Sequence, residues 1–302
     1  MSDNRIAAVK GAFAADALAL GVHWVYNTGV IDKKFGRVEQ YHDPLTSYHK
    51  GKKAGNFTHY GDQTLVLLES VATVGGFDAH RFADSWQTFF ADYQGYFDKA
   101  TKATLENMGN GGDLTRCGSD SDDLAGASRL AALFAAFAGD TDALAADACT
   151  QTAITHNNPQ VIAAADFFAR LTGAVLDGKA PVDAMEALLK DRFADSTVAA
   201  LIAKGLKSRG RDTRETIADF GQMCSVEAGL PGTVHLIARH GDDFKTALVE
   251  NVMAGGDSSA RGMLVGMVLG AAQGMAAIPR SWREEMNAGE RIDALIGKAS
   301  PA

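Results

Sequence analysis

Residues 258–278 read SSARGMLVGMVLGAAQGMAAI, and within them Gly262, Gly266, Gly270 and Gly274 recur every four residues. On an α-helix that spacing gathers the four into one bare, slowly drifting stripe. Each glycine inside a helix costs about 1 kcal/mol against alanine. Four together predict that another backbone packs closely there. The apolar part, Gly262 to Ile278, lies between Arg261 and Arg280 and contains Gln273. It sits at the low end of membrane-spanning length, so a buried central helix is expected rather than a membrane span.

The rest of the chain has the same character. Alanine supplies 52 of 302 residues and proline only 6, a usage that favours helix. Period-3.6 windows run over residues 5–20, 64–74, 124–137, 159–176, 182–189, 198–206, 244–253 and 258–278. No hairpin signal, linker, low-complexity tract or repeat interrupts them. Residues 40–56 are polar, with Pro44, Gly51 and Gly55, and read as a surface loop or flap. The expected fold is all-α, a single compact multi-helix domain over residues 1–302.

Composition narrows the function. The net charge is −8, from 37 acidic against 29 basic residues, and no basic run occurs. Nucleic acid is therefore not an expected partner, nor is a membrane. Cys117, Cys149 and Cys224 form an odd set without metal spacing or a disulfide framework, which points to a reducing, cytoplasmic compartment. The apolar stretch after Lys10 is broken by Asp16 and reads as a helix rather than an export signal.

Polar chemistry gathers at four helix starts: Thr58 to Thr64, Gly118 to Asp123, Thr155 to Pro159, and Gly255 to Ser259. Capping alone accounts for any one of them. Two share a build, however: Gly61-Asp62 and Gly256-Asp257 place a glycine before a carboxylate at a helix mouth. Glycine there allows close approach of a ligand. Free amides favour anions, and carboxylates can hold a hard divalent cation. His23-Trp24, after the first helix, is suited either to stacking on a ring or to the core. A calcium loop at Asp120 to Leu124 fails for want of its glycine and third acid, and no common hydrolase or nucleotide-loop motif is present.

The order of these motifs resembles the ADP-ribosylglycohydrolase family, nearest its branch of J1 crystallins and selenoprotein J. Ala14-Ala15-Asp16-Ala17-Leu18-Ala19 stands where the family has G-D-A-L-G. Gly21-Val22-His23-Trp24 follows where many members have P-V-E and an aromatic. Thr155-His156-Asn157-Asn158-Pro159 matches T-H-x-x-P, Gly255-Gly256-Asp257-Ser258-Ser259 matches G-G-D-T-D-T in part, and Ile278-Pro279-Arg280-Ser281-Trp282 matches I-P-x-x-W. The likeness runs from Arg5 to Trp282.

The resemblance implies an all-α hydrolase that cleaves the glycosidic bond of an ADP-ribosyl group, acting on a small-molecule or ADP-ribosylated substrate. It implies Asp62 and Asp257 as catalytic groups and metal ligands, with Ser258 and Ser259 as weaker ligands. It also implies His23, Tyr60, Ser121, Asp122, Asp123 and His156 as ligand-binding residues. The family's T-D-D-T becomes Tyr60-Gly61-Asp62-Gln63 here, its second D-T-D-T acid becomes Ser259, and its early Glu becomes His23. With so few carboxylates, at most one Mg2+ or Mn2+ ion is expected, and His59 or His23 tilts preference toward softer ions. Two other readings fit the departures: an ADP-ribose or nucleotide-binding protein without turnover, and a crystallin-like structural protein.

Overall fold

Alanine and glycine usage is realised as helix. In the computed structural model, which describes residues 2–300, the α-helices follow as α1 (Ser2–Leu20), α2 (Thr28–Phe35), α3 (His59–Val74), α4 (Ala79–Asp92), α5 (Lys99–Gly109), α6 (Ala125–Ser128), α7 (Thr141–Ala153) and α8 (Pro159–Leu176). They continue as α9 (Pro181–Asp191), α10 (Ala199–Lys207), α11 (Thr213–Phe220), α12 (Val226–His240), α13 (Phe244–Met253), α14 (Ser258–Gln273), α15 (Arg280–Glu284) and α16 (Gly289–Ala299). Among the described residues the only β-type pairing is three isolated bridges, and no helix is long and apolar enough to cross a membrane.

The glycine stripe does what its spacing predicts. Helix α14 is buried from Ser258 to Ala271, and its closest neighbour is α1. A Cβ on Gly266 would lie 2.7 Å from the carbonyl carbon of Gly11, and one on Gly270 would lie 2.8 Å from that of Ala7. Normal carbon contact is about 3.5–4.0 Å, so the two backbones touch where side chains are missing. The expected span to Ile278 is too long, however. The helix ends at Gln273 because Gly274 turns to φ 75°, and a 3-10 turn covers Met275–Ala277. Gly274 is thus the terminator of the stripe rather than its fourth interior member.

A second difference lies at residues 124–137. That run is not one α-helix but the short α6 followed by an eight-residue 3-10 helix, Arg129–Ala136. Nearly every residue of it is buried, so no polar face marks its winding.

The packing brings six connections to one end of the bundle. Asp16, on α1, accepts from the Thr58 amide at 2.8 Å, from the Thr58 hydroxyl at 2.6 Å and from the Ser259 hydroxyl, tying α1 to the mouths of α3 and α14. Trp24 and Val25 pair with Gly256. The segment 118–124 bonds to Thr155 and Asn157 on one side and to Cys224 and Val226 on the other. The loop before α3, with a 3-10 turn at Ser47–His49, folds over this end.

Candidate active site

Four successive residues at the mouth of α3 point in four directions, as a 100° step requires. His59 Nε2 lies 3.2 Å from Asp98 Oδ2, and His59 Nδ1 lies 3.3 Å from His49 Nε2. The Tyr60 hydroxyl is 3.0 Å from Asp123 Oδ2 and 3.2 Å from Asp257 Oδ2. Gly61 packs on Asp16; a Cβ there would be 2.8 Å from the Asp16 carboxyl carbon. Asp62 accepts from Lys52 Nζ at 2.5 Å and from the Tyr93 hydroxyl at 2.6 Å.

The Asp123–Tyr60–Asp257 unit is the most unusual electrostatic feature. Both carboxyls are buried and lie, with the Cys224 thiol, within 4.8 Å of one another. Burial pushes both above the ordinary carboxylate range, and their mutual repulsion adds to the Asp123 shift. The buried Arg261 guanidinium and the Ala260 amide oppose the shift at Asp257, as the Ala125 amide does at Asp123, and the rise is the larger at Asp123. Tyr60 has a single phenolic proton for two carboxyls. A protonated Asp123 donating to the Tyr60 oxygen, with Tyr60 donating to ionised Asp257, satisfies all three groups. Burial and these carboxylates raise the Tyr60 phenol well above its usual value, and the same causes raise the Cys224 thiol.

Beside this unit stand three buried imidazoles, His23, His49 and His59, each with a ring nitrogen within 4.8 Å of the others. Burial holds His23 well below the ordinary histidine range and His49 down at about 3. Trp24 stacks on His23 with ring centroids 4.5 Å apart. It does so from φ 61°, a left-handed backbone that bulky residues rarely adopt. Tyr48 and Tyr96 close the wall edge-on against Trp24, and Tyr48 is 46% exposed. A surface cleft lined by Ser47, Tyr48, Lys50, Gln94, Tyr96 and Lys102 opens next to them. It offers aromatic faces and two ammonium groups to a ligand.

The remaining expected site residues occupy defined places. His156 is buried, its Nδ1 is 2.9 Å from the Thr155 hydroxyl, its Nε2 has no partner among the described residues, and burial pushes it down to about 3. Ser121 accepts from the Asp123 amide at 3.2 Å and so shapes the turn that presents Asp123. Asp122 is exposed, and its backbone carbonyl accepts from Val226. Ser258 Oγ is buried without a partner, and Ser259 Oγ is committed to Asp16. The resemblance singled out neither His49, Asp98 nor Cys224. Nothing local marks them, since each joins the site only through the convergence of loops.

Two groups among the described residues could hold a divalent ion: the three histidines, and Asp123, Cys224 and Asp257. Neither contains Asp62, which is neutralised by Lys52. Magnesium requires near-octahedral oxygen coordination. The oxygens of Asp16, Asp62 and Ser259 are already engaged, and Cys224 offers sulfur. The donor set does not fit a magnesium pair.

Residues 2–301 match the ADP-ribosylglycohydrolase family. Crystallin J1A of Tripedalia cystophora is 25% identical, covering 96% of this chain and 94% of its own length, and crystallin J1B of the same animal is 23% identical over 93% and 91%. An uncharacterized protein of Archaeoglobus fulgidus is 26% identical over 96% and 93%. Among solved structures, a chain described as an ADP-ribosylglycohydrolase-related protein complex shares the fold with a TM-score of 0.74 at 24% identity, over 98% of this chain and 96% of that one.

Proposed function

We infer the following for a chain that belongs to the ADP-ribosylglycohydrolase family: it hydrolyses the glycosidic bond of an ADP-ribosyl group, with Asp123 and Asp257 as the catalytic pair. The carrying observation is the buried pair itself, two carboxyls bridged by the Tyr60 hydroxyl. Glycoside hydrolysis needs one carboxyl that gives a proton and one that stays ionised, across an oxocarbenium-like transition state. Asp123 protonates the departing group. Asp257, whose rise the nearby Arg261 opposes, acts in its ionised form, stabilises the cationic anomeric carbon and takes the proton of the incoming water. Tyr60 returns that proton to Asp123, which resets the pair.

The second acid is assigned to Asp123 rather than Asp62 because Asp62 is held by Lys52 and Tyr93 and anchors the loop before α3. The cleft of Tyr48, Tyr96, Lys50 and Lys102 suits the nucleobase and diphosphate. No step is routed through a magnesium pair, since the donors do not fit one. The reading is supported by the family and by the pair's burial and geometry.

A second reading, binding without turnover, is favoured by the two crystallins among the relatives. The test is to incubate the full chain with proteins ADP-ribosylated on arginine, serine or acidic side chains and follow free ADP-ribose by chromatography, alongside calorimetric titration with ADP-ribose. Release from one linkage class supports hydrolysis. Binding of ADP-ribose with no release from any class supports the second reading and overturns the first.

A further inference from the structure

We propose that His23, His49 and His59 form a binding site for one borderline transition-metal dication of the zinc class. The site adjoins the Asp123–Tyr60–Asp257 unit, shares none of its ligand atoms and does not depend on the hydrolase reading. The three side chains come from three elements: the turn after α1, the 3-10 turn of the loop, and the mouth of α3. They place one ring nitrogen each within 4.8 Å of the others, and all three residues are buried.

Zinc–nitrogen bonds of 2.0–2.1 Å at tetrahedral angles put two ligand nitrogens about 3.3 Å apart. His49 Nε2 and His59 Nδ1 are 3.3 Å apart. That distance also suits a direct hydrogen bond, so His23 decides between them. It is fully buried, and neither of its ring nitrogens has a hydrogen-bond partner among the described residues. The Asp257 carboxylate is 3.8 Å from His23 Nδ1, too far for a hydrogen bond. An imidazole always carries a polar nitrogen pair, and burying it unpaired is costly. His49 Nδ1 is likewise unpartnered. A cation inside the triangle supplies what the packing leaves missing.

The surroundings match a metal site. His59 Nδ1 faces the cluster and its Nε2 lies 3.2 Å from Asp98 Oδ2, close but not aligned for a hydrogen bond, and Asp98 is itself fixed by the Thr101 amide at 2.6 Å. A carboxylate behind a ligating histidine orients the ring and raises its basicity. Trp24 locks the His23 ring by stacking, and Tyr60 packs against His59 with centroids 4.0 Å apart. Three neutral nitrogen donors select zinc, cobalt or nickel over magnesium, which takes oxygen. Three protein ligands leave a fourth position for water or a ligand atom.

The test uses the full chain, stripped with chelator and titrated with Zn2+ by calorimetry and with Co2+ by visible absorption. Wild type is expected to take one equivalent of zinc and to give the intense visible bands of four-coordinate cobalt. His23→Gln and His49→Gln should each weaken zinc binding at least tenfold and dim those bands. Asp98→Asn, a positioning change, should weaken binding about tenfold and shift the cobalt spectrum. His80→Gln, an exposed histidine elsewhere, should match wild type. No zinc uptake by wild type, a weak six-coordinate cobalt spectrum, or unchanged affinity in the His23 and His49 variants would overturn the proposal. The wild-type cobalt spectrum decides the matter even where a variant fails to fold.

Discussion

Replacing Gly266 with alanine puts a methyl group where the structure has a backbone. The added Cβ would sit 2.7 Å from the Gly11 carbonyl carbon and 3.1 Å from the Ala15 methyl. Ordinary carbon contact needs about 3.5 Å or more, so α1 and α14 must separate by about 1 Å. Neither side can rotate away, because both contacts are short and one is backbone. Overpacking of this kind costs up to about 3 kcal/mol and occasionally more, and a gap of that width also forfeits a quarter to a half of each neighbouring dispersion contact. Alanine returns about 1 kcal/mol in helix propensity. The net expectation is a loss of about 2–3 kcal/mol. At about 2.1 cal/mol/K per residue, 302 residues give an unfolding entropy of about 0.6 kcal/mol/K, so Tm should fall by about 4 °C. Thermal and urea unfolding should be run beside Gly297→Ala, an exposed position on α16 with nothing within 4 Å of its added Cβ. That control should gain up to about 1 kcal/mol. A Gly266→Ala protein as stable as wild type would refute the close-packing argument.

Three further outcomes are expected. Trp24→Gly relieves the φ 61° strain but removes the wall against His23. Tm should therefore move by no more than about 3 °C, while calorimetry shows ADP-ribose affinity falling at least tenfold; unchanged affinity would remove Trp24 from the site. Asp62→Asn should retain turnover within about tenfold in a product-release assay, because Asp62 anchors the loop; a loss as large as that of Asp257→Asn would return the second catalytic role to it. His235 is buried between Ser208 and Thr213, and burial, with His240 and Arg239 nearby, lowers it to about 4. The unfolded chain binds that proton near pH 6.5, so the native advantage is full above pH 6.5 and is lost as pH falls toward 4. Denaturant unfolding should show the gap between wild type and His235→Gln shrinking by about 3 kcal/mol from pH 7 to 4; a pH-independent gap contradicts the assignment.

Much of the fold is legible in the sequence for physical reasons. The four-residue glycine rule needs a close backbone, and α1 supplies it with Gly11 and Ala7. Asn158 followed by Pro159 marks the start of α8 through capping and a preset φ, and the structure starts the helix there. The polar, glycine-rich residues 40–56 hold only a short 3-10 turn. Less legible is the winding of residues 129–136, since burial on all sides erases the periodicity that separates 3.0 from 3.6 residues per turn. Helix α12 is hidden for another reason: Pro231 lies inside it and reads as a break.

The candidate site divides along the same line. Asp257, Tyr60 and Asp123 stand at helix starts that local chemistry marks. Their raised carboxyl pKa values depend on burial and, at Asp123, on the neighbouring Asp257, which no spacing reveals. His49 sits in a loop and Asp98 caps α5. Each looks ordinary until the folded chain sets it against His59. Asp62 shows the converse: its glycine-carboxylate motif matches that of Asp257, yet its carboxylate pairs with Lys52 and Tyr93 and not with the Asp123–Tyr60–Asp257 unit.

The most direct test of the account is the single-turnover rate of ADP-ribose release from an accepted ADP-ribosylated substrate by wild type, Asp123→Asn and Asp257→Asn at one pH, with folding checked by circular dichroism. Each amide removes a proton donor or acceptor from the pair at nearly constant volume. The account predicts that both variants still bind ADP-ribose and that each loses at least about 100-fold in rate. Wild-type rates in either variant would contradict it.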